Sequence, residues 1–143
     1  MAALPIRTLH VLAMAVIVGG TTVLWYSYRS GAISSLGPAR QFEWLFWGSV
    51  GVLVFTGVGN LGALGPPGPG TDWGRTLLVK LVVVIALVGG SVVRTLLLVQ
   101  ASDREGTSGE RSPPLGRTLS RAYGATAAVL LGVVILAEVL AHG

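Results

Sequence analysis

Four long apolar blocks limit what this chain of 143 residues can fold into more than any other feature of its sequence. They cover residues 6–27, 42–64, 75–99 and 119–141 and leave little sequence for anything else. Each block can cross the hydrocarbon layer of a membrane, which takes about 20 apolar residues in a helix. Only 11% of the residues are charged, whereas soluble domains contain about 25%. The sequence therefore predicts an all-α fold, in which residues 1–143 form one domain, an antiparallel bundle of four transmembrane helices.

The segments between the blocks contain the residues that end helices. Residues 65–73 are rich in glycine and proline, which predicts a non-helical loop, with Thr71 or Asp72 as the N-cap of the third helix. Residues 101–116 are polar and contain a pair of prolines, which predicts a second loop. No small-residue cleavage site follows the first block, so we expect it to be a retained helix and not a signal peptide.

The positive charges favour one orientation of the bundle. Seven of the ten Lys and Arg residues lie in or beside the two segments that join helices 1 and 2 and helices 3 and 4: Arg29, Arg40, Arg94, Arg104, Arg111, Arg117 and Arg121. The opposite face has three: Arg7, Arg75 and Lys80. Because cytoplasmic segments carry an excess of Lys and Arg, we expect a multi-pass protein of a bacterial-type inner (plasma) membrane with both termini outside. This distribution also explains the net charge of +4 without a nucleic-acid partner.

Four residues at the predicted outer face form a candidate metal site. His10 and Met14 are four residues apart, so they share one face of helix 1, and Glu138 and His142 have the same spacing on helix 4. Imidazole and thioether together suit Cu(I). Since helices 1 and 4 run antiparallel, these four side chains could converge on one copper ion. The alternative is that His10 only anchors its helix at the membrane interface.

Charged residues inside a span are costly and require a partner or a function. Lys80, about one turn into helix 3, either snorkels to the interface or pairs with Glu138. Arg94 lies near the inner end of helix 3, where we expect it to contact lipid headgroups or carbonyl groups of the inner loop.

Other cofactors and activities have less support in the sequence. A haem b would need two axial ligands, for which His10 and His142 are the only histidine pair. The absence of cysteine excludes a disulfide, an iron–sulfur cluster and a thiolate copper site. No nucleophile–base arrangement and no phosphate-binding loop is found, so we expect no catalytic activity of the chain itself.

Four sequence elements resemble the CopD family of copper-resistance membrane proteins. The run Leu-His-Val-Leu-Ala at residues 9–13, followed by Val-Gly-Gly at 18–20, resembles the first helix of that family. The run at residues 71–81 looks like its Thr-x-Tyr/Trp-Gly-Arg-x-Leu-Leu-x-Lys element, and Thr56-Gly57 and Val93-Arg94 also fit its pattern.

The resemblance implies a four-helix CopD-like domain that takes up or handles copper from the periplasmic side. It singles out His10 as the candidate ligand and Gly74, Arg75, Lys80 and Arg94 as framework. The first functional hypothesis is accordingly a copper-handling membrane protein. The second is a small accessory subunit of a larger membrane oxidoreductase complex, and the third a haem b electron carrier. As partners we expect membrane lipid together with other membrane subunits or further copies of this chain.

Overall fold

The computed structural model contains four long α-helices within the residues that it describes, 3–64, 70–108 and 114–142. They are α1 (Ala3–Ser30), α2 (Gly37–Leu64), α3 (Asp72–Ser108) and α4 (Pro114–His142). Inside these ranges, the side chains of residues 3, 60–64, 73, 104–108, 114–115 and 140–142 are not described. Each helix contains a segment long and apolar enough to cross a membrane. The predicted all-α bundle of four membrane helices is confirmed.

The helices extend beyond the apolar blocks, which makes part of one loop prediction wrong. α3 continues through the polar residues to Ser108 and α4 begins at Pro114, so most of the predicted loop at residues 101–116 is helical. The physical reason is that hydropathy marks the segment that suits lipid, whereas a helix continues in water until a residue ends it. The predicted loop at 65–73 falls partly outside the described residues, and its last two residues belong to α3.

Local features account for three of the helix ends. Gly31 follows α1 with a φ of 73°, in the left-handed region that glycine adopts without steric cost. Pro38 lies in the first turn of α2, where its missing N–H is not needed. At the start of α3, the Gly74 amide donates to the Thr71 hydroxyl oxygen at 3.1 Å, which confirms Thr71 as the N-cap.

Three pairs of neighbouring helices pack closely, and the fourth pair, α2 and α3, does not. α1 packs against α2 and α4, and α3 packs against α4, but α2 and α3 have little direct contact. A Cβ added at Gly124 on α4 would lie 2.8 Å from the indole of Trp25 on α1, so this glycine is required for the close approach of the two helices. Only 6% of the most apolar window of α3 is buried, against 22–28% for the other helices. α3 is therefore the peripheral helix of the bundle.

Contacts between named residues define two ends of the bundle. His10 on α1 contacts Thr56 on α2, whereas Gly20 faces Phe42, so α1 and α2 run antiparallel. We call the end where α1 and α3 finish and α2 and α4 begin the arginine-rich end, and the opposite end the termini end. The buried aromatic core lies towards the arginine-rich end and consists of Tyr28, Phe42, Phe46 and Tyr123.

Candidate functional site

A buried ion pair joins α2 to α3 at the arginine-rich end. Arg94 Nε donates to Glu43 Oε1 at 2.8 Å, and Arg94 Nη2 donates to Glu43 Oε2 at 3.3 Å. The third nitrogen, Nη1, donates to the Thr126 hydroxyl oxygen on α4 at 2.9 Å. Arg94 is only 2% exposed and Glu43 only 6%. One guanidinium group therefore ties three helices together away from solvent.

Neutral donors complete the surroundings of the Glu43 carboxylate. The Tyr123 hydroxyl donates to Oε1 at 2.9 Å, and the Thr95 hydroxyl donates to Oε2 at 2.5 Å. Trp47 Nε1 in turn donates to the Thr95 hydroxyl oxygen at 3.0 Å. The carboxylate thus accepts four hydrogen bonds, which is what a buried charge requires.

Aromatic rings cover the Arg94 guanidinium group. Its central carbon lies 4.4 Å from the ring centre of Phe46 and 4.8 Å from that of Tyr123, both within cation–π range. We call the residues of this arrangement the ion-pair network: Glu43, Phe46, Trp47, Arg94, Thr95, Tyr123 and Thr126. Its two charges balance each other, and each nitrogen of Arg94 and each carboxylate oxygen of Glu43 makes at least one hydrogen bond, an arrangement that suits a structural role.

The expectation that Arg94 contacts headgroups or loop carbonyls is wrong, because its partner is Glu43. Glu43 was not predicted from the sequence as a partner of Arg94. A usable signal existed, since α2 and α3 are antiparallel and place both charges near the same membrane end. Without the buried Arg94, the charge bias on which the predicted orientation rests falls from seven against three to six against three.

A hydrogen bond at the termini end fixes the ring of His10. Its Nδ1 lies 2.7 Å from the Thr56 hydroxyl oxygen, and the same oxygen lies 2.7 Å from the carbonyl oxygen of Val52. The hydroxyl has one hydrogen for these two contacts. When it donates that hydrogen to Val52, His10 Nδ1–H is the donor to Thr56, and the lone pair of the neutral ring is on Nε2.

Of the residues near His10, Met14 could act as a metal ligand, whereas Lys80 would repel a metal ion. Met14 is partly buried and packs against the hydrophobic core. Lys80, half-buried on α3, is close enough to act electrostatically on His10. Its ammonium group opposes the binding of a second cation unless an anion offsets it.

The remaining predicted site residues are not gathered into one site by the side chains described. Glu138 is exposed, and the side chain of His142 lies outside the described residues. Among the residues described, no three His, Cys, Asp or Glu side chains are grouped as metal ligands. The four-residue copper site and the His10–His142 haem pair both stay predictions. Gly74 is buried in the first turn of α3 and Arg75 is exposed beside it.

Comparison with known families identifies the group to which this fold belongs. The model of the family described as CopD, copper resistance protein D, matches residues 36–140. The chain belongs to the CopD family. Membership makes it a membrane protein of the copper-resistance, copper-handling type. No curated protein and no solved structure matches the chain.

One of the two polar sites lies inside the matched range, and His10 of the other lies outside it. The range includes α2, α3 and most of α4, and with them the whole ion-pair network. It begins after α1, so His10 and Met14 lie outside it. The case for His10 thus rests on its own geometry and on the resemblance of the first helix.

Proposed function

We propose that this CopD-family protein binds and transfers copper at its termini end, with Nε2 of His10 as the first ligand. The observation that carries the proposal is the His10–Thr56 hydrogen bond. Histidines that bind metals usually donate their second ring N–H to a fixed acceptor, which sets the tautomer and orients the ring. Thr56 is such an acceptor when it donates its own hydrogen to the Val52 carbonyl.

The donor set favours the reduced ion. Met14 lies one helical turn from His10, and a rotation of its flexible side chain would bring a thioether beside Nε2. Imidazole with thioether suits Cu(I). Two ligands alone bind weakly, so the proposal requires a third from Glu138, from His142 or from the protein that delivers the ion.

Charge balance gives Glu138 a role in this proposal. Lys80 opposes any cation near His10, and a carboxylate that pairs with it would remove this repulsion. Glu138 is near the same end of the bundle, four residues before His142 in α4. We therefore propose the Lys80–Glu138 pair as the arrangement that lets His10 accept a cation.

The proposed orientation presents this site to the outside. With six positive residues at the arginine-rich end, the positive-inside rule puts that end in the cytoplasm of a bacterial-type inner membrane. The termini end and His10 would then face the periplasm. The protein would bind or pass on copper there without catalysing a reaction.

Equilibrium dialysis against buffered Cu(I) tests the proposal on the full chain in detergent. Wild type is expected to bind one ion, and His10→Ala to lose it. Thr56→Val keeps the size of the side chain but removes the acceptor of the Nδ1 hydrogen, and should weaken binding by about 10- to 100-fold. Thr22→Val is the matched control, since Thr22 is an exposed threonine of α1 that also bonds back to a carbonyl. Wild type without copper, or binding unchanged by His10→Ala, would contradict the proposal.

A further inference from the structure

Two hydroxyl groups in the bundle interior are buried without a hydrogen-bond partner among the residues that the structure describes. They belong to Thr21 on α1, which is 0% exposed, and to Ser91 on α3, which is 1% exposed. Nearly all buried polar groups in folded proteins bond either to the protein or to ordered water. These two hydroxyl groups therefore require an explanation.

Other hydroxyl groups in the same helices bond to their own backbone. A serine or threonine inside a helix can donate to the carbonyl oxygen four residues earlier. Four side chains make this bond at 2.8 to 3.0 Å: Thr8, Thr22, Ser102 and Thr126. Thr21 and Ser91 do not make it, although each has the same type of acceptor behind it. Their hydroxyl groups are thus available to a partner in the interior of the bundle.

Contacts between α1 and α4 give the depth of Thr21. The two helices run antiparallel, and Trp25 of α1 faces Gly124 of α4. Thr21 comes about one turn before Trp25, so it lies level with the residue about one turn after Gly124. That residue is Ala128.

Contacts between α3 and α4 give nearly the same depth for Ser91. Arg94 of α3 bonds to Thr126 of α4. Ser91 comes three residues before Arg94, so it lies level with Val129. Two buried hydroxyl groups therefore reach the interior at one level, from two helices whose described residues do not pack directly against each other.

Arg94 supplies further hydrogen-bond donors next to this level. A guanidinium group has five N–H hydrogens, and the bonds to Glu43 and Thr126 use three of them. One hydrogen on each terminal nitrogen is left for another acceptor. Ser91 and Arg94 are three residues apart and share one face of α3.

We propose that an ordered water molecule bridges the hydroxyl groups of Thr21 and Ser91, with an N–H group of Arg94 as its third partner. Buried waters typically make about three hydrogen bonds to groups that are otherwise unsatisfied. A neutral ligand suits this place better than an ion. Arg94 would repel a cation, and an anion would lack a counter-charge because Arg94 is already paired with Glu43.

The bound water extends the ion-pair network to the fourth helix. The hydrogen bonds of the network join α2, α3 and α4, and the water adds α1 through Thr21. Buried apolar side chains separate it from the termini end, since Ile17 lies about one turn from Thr21 and Leu87 about one turn from Ser91. The water is therefore a fixed part of the packing, and its role is independent of copper.

Two variants that remove only a hydroxyl group test the proposal in the full chain, unfolded by titration with sodium dodecyl sulfate in detergent. Thr21→Val and Ser91→Ala each leave the water and the other hydroxyl with one partner fewer. Each should raise the unfolding equilibrium constant by about fivefold or more. In a dry interior, each variant would instead remove an unpaired hydroxyl group and lower that constant. Thr22→Val and Ser102→Ala are the matched controls, because both hydroxyl groups bond to their own helix, and they should change it by less than about threefold.

The double variant and a crystal structure distinguish a bridge from two separate effects. Because both changes remove the same water, together they should raise the unfolding constant by less than the product of the two single fold-changes. A crystal structure that shows ordered water should contain a peak within hydrogen-bond distance of both hydroxyl oxygens, and the double variant should lack it. Single variants that leave the constant unchanged or lower it, or effects that simply multiply, would overturn the proposal. A crystal structure in which the two hydroxyl groups bond to each other or to their own backbones, without water, would overturn it too.

Discussion

Removal of Arg94 provides the most direct test of how the bundle is held together. Arg94→Met keeps a long apolar side chain but deletes the charge and three hydrogen bonds, two to Glu43 and one to Thr126. Hydrogen bonds between membrane helices contribute about 0.6 kcal/mol each on average, so their loss accounts for about 2 kcal/mol. The larger effect comes from Glu43, whose carboxylate would stay buried without a counter-charge. Breaking a buried ion pair from one side costs about 3–5 kcal/mol in total.

The double variant separates the charge effect from the rest. Glu43→Gln alone leaves Arg94 as an unpaired buried cation and should also cost about 3–5 kcal/mol. Glu43→Gln combined with Arg94→Met leaves no buried charge, so its cost should be smaller than the sum of the two single costs by about 2–3 kcal/mol. Such a coupling energy is the expected signature of the pair.

The free energy of unfolding can be measured by titrating the detergent-solubilised protein with sodium dodecyl sulfate and following helix content by circular dichroism. Arg117→Met, at an exposed site near the same end, should change it by less than about 0.5 kcal/mol. Additive single costs would refute the reasoning, and so would an Arg94→Met cost below about 1 kcal/mol, which would mean that the carboxylate is protonated or hydrated without Arg94.

Three further predictions follow from particular contacts. Gly124→Ala should destabilise the bundle by about 1–3 kcal/mol, because its methyl group overlaps the indole of Trp25. Gly132→Ala, which has open space around it, should not destabilise the bundle, and equal unfolding curves of the two variants would contradict this. Lys80→Met should destabilise the bundle and the addition of Glu138→Gln should restore much of the loss, while a double variant as impaired as the sum of the singles would exclude the pair. Ser34→Cys gives this cysteine-free chain a single thiol in the exposed connection between α1 and α2. A membrane-impermeant thiol reagent should not label this cysteine in intact cells, and ready labelling would mean that the topology is inverted.

The helices could be predicted from the sequence because lipid imposes one requirement on all of them. About 20 apolar residues must be continuous to span a membrane, and the four blocks satisfy this without further information. The helix ends were less predictable, since α3 continues through nine residues beyond its predicted end at residue 99. Hydropathy does not record where a helix stops in water. The N-cap of α3 was predicted to be Thr71 or Asp72, because an N-cap is a local signal of one side chain and one backbone amide, and the structure selects Thr71.

The ion-pair network was not predicted, since it depends on which helices meet and at what depth. Glu43 and Arg94 are 51 residues apart in sequence, and each taken alone resembles an interfacial charge. Only the antiparallel register of α2 and α3 brings them together. Thr56 was noted for its place in a family motif, but its role as acceptor for His10 became visible only from the geometry of the α1–α2 contact.

The two polar sites lie towards opposite ends of the bundle, and buried apolar side chains separate them. Ile17 lies between the levels of His10 and Gly20 on α1, Leu87 lies midway between Lys80 and Arg94 on α3, and both are buried. A hydrated ion that moved through the bundle from the level of His10 to the arginine-rich end would have to leave water and pass these buried levels, which is costly for a charge without partners. The proposed copper site would therefore exchange its ion at the termini end rather than pass it through the bundle. The ion-pair network holds α2, α3 and α4 together at one end, and the proposed His10 site would lie between α1 and α2 at the other.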